Sequence, residues 1–126
     1  MNDQSFVYDF LVDGLKLQAA SSAVQRQLVP DFVHLPDELL NAVHVGSFPQ
    51  LFREGILSDS ASLAIQRYEA FLDTYVASND YESAVAEVES GNWFEALRAH
   101  ARDVLLALGE DCSEPSLDHV VYVRGA

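Results

Sequence analysis

Cysteine, basic side chains and long apolar runs are all scarce in this chain. The one cysteine, Cys112, excludes an internal disulfide framework. No apolar run approaches the ~20 residues that a membrane-spanning helix needs. The opening, MNDQSFVYDF, has no basic n-region and starts acidic, so it does not read as a signal peptide. The expected address is a reducing cytoplasm. Lys and Arg number 7 and are scattered singly, which leaves no footprint for nucleic acid. Gly-rich phosphate loops, HExxH, Cys-rich metal spacings and GxSxG elbows are all missing. No cofactor, metal or catalytic residue is therefore expected.

What the chain does have is apolar content and negative charge. At 126 residues and 49% hydrophobic, it is long enough for one domain spanning 1–126 with a real core. The net charge is −13, from 20 acids against 7 bases. The imbalance is concentrated. Residues 68–118 hold twelve acids against Arg98 and Arg102 alone, a net of −10. Such a surface repels duplexes and anionic membranes and attracts basic proteins. Solubility is the plainer reason for an acidic face and stands beside that reading.

Helical periodicity dominates. The stretch from Asn92 to Gly109 is the best specified, with Trp93, Leu97, Ala101, Val104, Leu105 and Leu108 on one face. Asn92 is its expected N-cap, with Glu95 completing a capping-box-like pair, and Gly109 its left-handed C′ residue. The rest of the chain should pack against this face. A second amphipathic helix carries Ala61, Ala64, Ile65, Tyr68, Phe71, Leu72, Tyr75 and Val76 and is capped by Ser58 or Ser60. Asn79 should cap a shorter one, with Tyr81, Ala84, Val85 and Val88 inward. Ser21 or Ser22 starts a short helix that Pro30 stops, and residues 31–35 should be extended. Pro36 opens a helix from Asp37 to Val43, and Pro49 opens another through Arg53, ended by Gly55.

Residues 3–19 fit two patterns. Val7, Phe10, Leu11, Gly14 and Leu15 follow a helical stripe, whereas Asp13-Gly14 between apolar runs is a hairpin signal. The helix is preferred, because a hairpin leaves its second face half apolar. His119 to Val123, HVVYV, reads as a strand or extended tail. The expected fold is all-α, a compact bundle of roughly 5–7 helices with an extended C-terminal tail or short strand. The alternative is α+β with an N-terminal hairpin.

Candidate chemistry is sparse. His100 lies at the edge of the last long stripe and reads as a partly buried structural histidine. His34 lies before Asp37 and Glu38, which can meet it, but two groups make a contact and not a site. Tyr68, Phe71 and Tyr75 form a core stripe, Trp93 a core anchor, and Phe48, Leu51 and Phe52 are expected to be buried.

Two segments carry a resemblance. They are Leu28 to Leu39, LVPDFVHLPDEL, and Trp93 to Leu108, with its W-x-x-x-L-R-x-x-A-x-x-x-L-x-x-L spacing. With the small size and acidity, they make the chain resemble the bacterial toxin-immunity proteins, cytosolic antidotes to secreted or contact-delivered toxins. The resemblance implies a binding protein and no catalytic residue. The implied partner is a basic protein, a cognate toxin whose positive cleft an acidic surface covers. Charge density puts the contact on Glu69, Asp73, Asp80, Glu82, Glu87 and Glu89. Two other readings stay open. One is an inhibitor that mimics nucleic-acid phosphates. The other is a small enzyme or ligand-binding domain with His34, Glu38 and His100 converging in a pocket.

Overall fold

A computed structural model describes residues 3–30, 33–76 and 80–115. Its described residues form an all-α bundle: α1 (Asp3–Ala19), α2 (Ser22–Leu28), α3 (Leu35–Asn41), α4 (Phe48–Arg53), α5 (Asp59–Leu72), α6 (Tyr81–Ser90) and α7 (Asn92–Ala107). A single 3₁₀ turn, Val45–Ser47, leads into α4. The N-terminal hairpin does not form. Asp13-Gly14 lies inside α1, because Leu11 and Leu15 need one helical face to reach the core. The expected strand or tail at 119–123 lies outside the described residues.

The helix α7 is the spine. It packs against α1, α5 and α6, while α6 also meets α2 and α3. Its two halves feed different apolar clusters. Ala101, Val104 and Leu105 join Leu11 and Leu15 of α1, Phe48 and Leu51 of α4, and Ala61, Ile65 and Tyr68 of α5. Phe94 and Leu97 join Leu17, Val29, Leu35, Leu39 and Val88. The buried face is rotated slightly from expectation. Phe94 and Arg98 are buried, whereas Trp93 and Leu108 are only half-buried.

Polar side chains stitch the two clusters together. Gln18 is fully buried at the end of α1. It accepts from the Tyr68 hydroxyl at 2.6 Å and donates to the Leu39 carbonyl at 2.8 Å, so it touches both clusters. Gln25 donates to the carbonyls of Leu17 and Gln18 at 3.0 and 3.1 Å, and Arg102 donates to that of Ala19 at 3.3 Å. These are carbonyls that the end of a helix leaves without intrahelical partners. Arg98, 4% exposed, closes the net by donating to Gln25 Oε1 at 3.2 Å and to the Val88 carbonyl.

Several boundaries differ from the sequence reading for physical reasons. The N-cap of α7 is Gly91, not Asn92, and no side chain caps it. One residue joins α6 to α7 there. Its N–H still bonds to Glu87, and a Cβ at Gly91 would lie 2.6 Å from the Glu87 carbonyl oxygen. Asp80, not Asn79, caps α6, accepting from the Ser83 N–H at 3.3 Å and the Ser83 hydroxyl at 2.7 Å. The helix α5 stops at Leu72, short of Tyr75 and Val76. The Thr74 hydroxyl bonds to the Phe71 carbonyl at 2.6 Å and turns the chain outward. Val76 is consequently 83% exposed instead of lying on the apolar face. The helix α3 begins at Leu35, ahead of Asp37, with His34 as its extended cap, and ends at Asn41. Ser21 and Ser58 cap α2 and α5 as expected, and Gly109 has the expected positive φ of 79°.

Candidate partner-binding surface

All six singled-out acids are exposed. Glu69 and Asp73 belong to the outer side of α5, one turn apart. Asp80, Glu82, Glu87 and Glu89 belong to α6 and its cap. They do not form one continuous face. At 3.6 residues per turn, Glu82 and Glu89 share one flank of α6, and Glu87 lies on the other. Their neighbours agree with that split. Glu89 pairs with Arg26 of α2. Glu87 instead acts electrostatically on Tyr75, just past the end of α5. The Asp80 carboxylate is held below the usual range, chiefly by the Ser83 hydroxyl that donates to it.

The Glu87 flank borders a half-buried aromatic group. Phe71 lies between Trp93 and His100, with ring centroids 4.7 and 4.6 Å away and planes 19° and 26° from parallel. Trp93 and His100 are seven residues apart on α7, a separation of about 10.5 Å along the helix. One ring fits between them. Tyr75 tilts against Trp93 at 4.7 Å, and Phe94 closes the underside of Trp93 edge-on at 5.1 Å. The indole N–H donates to the Thr74 hydroxyl at 2.9 Å. Burial raises the Tyr75 phenol first, and the carboxylates of Glu87 and Asp37 raise it further. Asp37, on α3, thus joins this neighbourhood, which charge density along the chain did not show.

The histidines lie in separate settings. His34 Nδ1 is 2.8 Å from Asp37 Oδ2, the contact foreseen for it. His100 is half-buried and stacked on Phe71, as expected of a structural histidine. A mostly apolar hollow of about 230 Å³ is lined by Val7, Phe10, Leu11, His44 and Ser47. A polar one of about 300 Å³ is lined by Tyr8, Asp9, Val12, Asp13, Lys16 and Glu110. Neither takes its lining from His34, Glu38 or His100. Among the described residues, no group of three or more His, Cys, Asp or Glu is placed to hold a metal ion.

The bases explain more of the surface than the acids do. Arg98 is buried, and the Arg102 guanidinium caps α1. Lys16 pairs with Asp111 at 3.5 Å, and Arg26 pairs with Glu89. Four of the 7 bases are therefore engaged in contacts with other groups of the chain, and the two ion pairs each neutralise an acid as well, so the net charge stays at −13. Sequence reasoning missed Gln18, Gln25 and Arg98 as buried groups. The signal was present: Gln18 follows Leu11 and Leu15 on the core stripe, and Arg98 precedes Ala101 and Leu105 on theirs.

No family model, curated protein or solved structure shows a significant match to this chain.

Proposed function

We propose that this protein works by binding a basic protein partner, in the manner of a bacterial toxin-immunity protein, and carries out no reaction of its own. One observation carries the reading. The acids of α5 and α6 face outward, with Glu89 among the six paired with a base, Arg26, while Arg98 is buried and Arg102 bonds to the end of α1. A field of this sign speeds encounter with a positive cleft above the unsteered ~10⁵–10⁶ M⁻¹s⁻¹ and penalises anionic partners. Once bound, the protein covers the cleft or holds the toxin inactive.

The test is co-expression with the product of the adjacent gene in a host that this product harms. Restored growth, together with co-purification of the two proteins, supports the proposal. Undiminished harm with no complex refutes it. Given a complex, changing Glu82, Glu87 and Glu89 together to Lys should slow association at least tenfold at low salt and flatten its salt dependence. Unchanged kinetics would remove these residues from the contact. Comparing Glu87→Lys with the Glu82→Lys/Glu89→Lys pair then decides which flank of α6 faces the partner.

A further inference from the structure

The aromatic group beside Glu87 lies at the edge of the core and not beneath it. Phe71, Tyr75 and Trp93 are each half-buried, Thr74 is exposed, and Val76 next to them is 83% exposed. Carboxylates from two other elements act on its Tyr75: Glu87 of α6 and Asp37 of α3. Resting on the reading of a basic partner, we propose that this patch is the centre of the interface and takes an arginine side chain of that partner. The guanidinium plane lies over the outward side of the half-buried Tyr75 ring, which itself packs on Trp93, and its N–H groups reach toward Glu87 and Asp37.

The chemistry selects this occupant over the alternatives. A guanidinium is planar and weakly hydrated, so it can stack on a ring and fork to carboxylates together. A lysine ammonium is a compact, strongly hydrated charge that gains less from a ring. Nucleotides and anionic lipids bring phosphate toward carboxylates and are repelled. A second copy of this chain brings the same charge of −13 and is repelled overall. Tryptophan and tyrosine beside a polar rim are also the side chains that dominate binding energy at protein interfaces.

Trp93 is the only tryptophan, so its emission reports on this patch alone. The probes are two synthetic peptides of equal charge, four Gly-Arg repeats and four Gly-Lys repeats, both capped at each end. Each is titrated into the intact protein at low salt and followed by fluorescence and calorimetry. The arginine peptide should shift Trp93 emission saturably and bind about two- to fivefold tighter than the lysine peptide. Glu87→Gln and Tyr75→Leu should each remove most of that preference, while Glu82→Gln/Glu89→Gln on the opposite flank leaves it intact. Should Tyr75→Leu fail to fold, the exposed Glu87→Gln variant decides. Equal affinity for both peptides, or unchanged Trp93 emission on binding, overturns the arginine site and leaves the basic-partner reading standing. Binding of neither peptide overturns both.

Discussion

Gly14→Ala sets two effects of opposite sign against each other. Gly14 is buried in the middle of α1, and by helix propensity alone the change should stabilise by up to about 1 kcal/mol. The packing opposes it. A Cβ at this position would lie 2.0 Å from the Ala42 carbonyl oxygen, 2.8 Å from the Ala42 carbonyl carbon and 3.2 Å from Val43 Cγ2. Ordinary carbon-to-oxygen contacts need about 3.3 Å, so α1 must move away from the end of α3 by over ~1 Å. Val43 cannot follow freely, because it is packed in the same cluster as Leu11 and Leu15. Overpacking against rigid groups costs ~1–3 kcal/mol, and a backbone obstacle belongs at the upper end. The net expectation is a loss of about 2 kcal/mol, or a Tm lower by roughly 6–10 °C for a chain of this size. Urea unfolding followed by far-UV circular dichroism should show a lower midpoint at unchanged slope. Ala42→Gly should not rescue the variant, since the obstacle is a carbonyl and not a methyl. A Gly14→Ala protein as stable as the parent, or more so, would refute the close approach of α1 to α3.

Three further expectations rest on side chains. Arg98→Met strands Gln25 Oε1 and the Val88 carbonyl in the interior, so urea unfolding should show a loss of about 2–4 kcal/mol; a neutral result would mean that water reaches this cluster. Asp80→Ala removes the cap of α6 and should cost about 1 kcal/mol, read as faster amide exchange in the first turn of α6 with α1 unaffected. Alkaline pH should destabilise the fold through its tyrosines. Burial, then the hydrogen bond donated to Glu110, pushes Tyr8 from 10.0 up to about 12, and burial raises Tyr68 as well. Because the folded state favours the protonated phenol, this contribution is complete below pH 10 and fades as the pH rises through about 12. Urea midpoints should therefore fall between pH 10 and 12, and less steeply in Tyr8→Phe; a flat profile would contradict the assignment.

Much of the bundle was legible in the pattern of side chains. Periodicity located the stripes of α5 and α7, and Ser21 and Ser58 marked the starts of α2 and α5. The hairpin signal at Asp13-Gly14 misled because it describes two residues, whereas Leu11, Leu15 and Gln18 had a helical face to satisfy. The caps of α6 and α7 fell one residue from expectation: Asp80 takes the Ser83 N–H and hydroxyl, and the one-residue joint at Gly91 starts α7 a residue early. The candidate surface was legible as composition but not as shape. Counting acids found Glu69 through Glu89, yet a helix distributes neighbours in sequence around its axis, so Glu87 and Glu89 face different neighbours.

Composition and spacing alone determined the all-α class, the central role of α7 and the strong negative charge, because each depends on local periodicity or on counting. Only the tertiary structure decided where the charge acts. It buried Arg98 among the carbonyls and amides of other helices, used Arg102 to close α1, and brought Asp37 near Tyr75 from a distant part of the chain. The reason is that a cation's field depends on its partners and its contact with water, and both are set by elements that meet only when the helices pack.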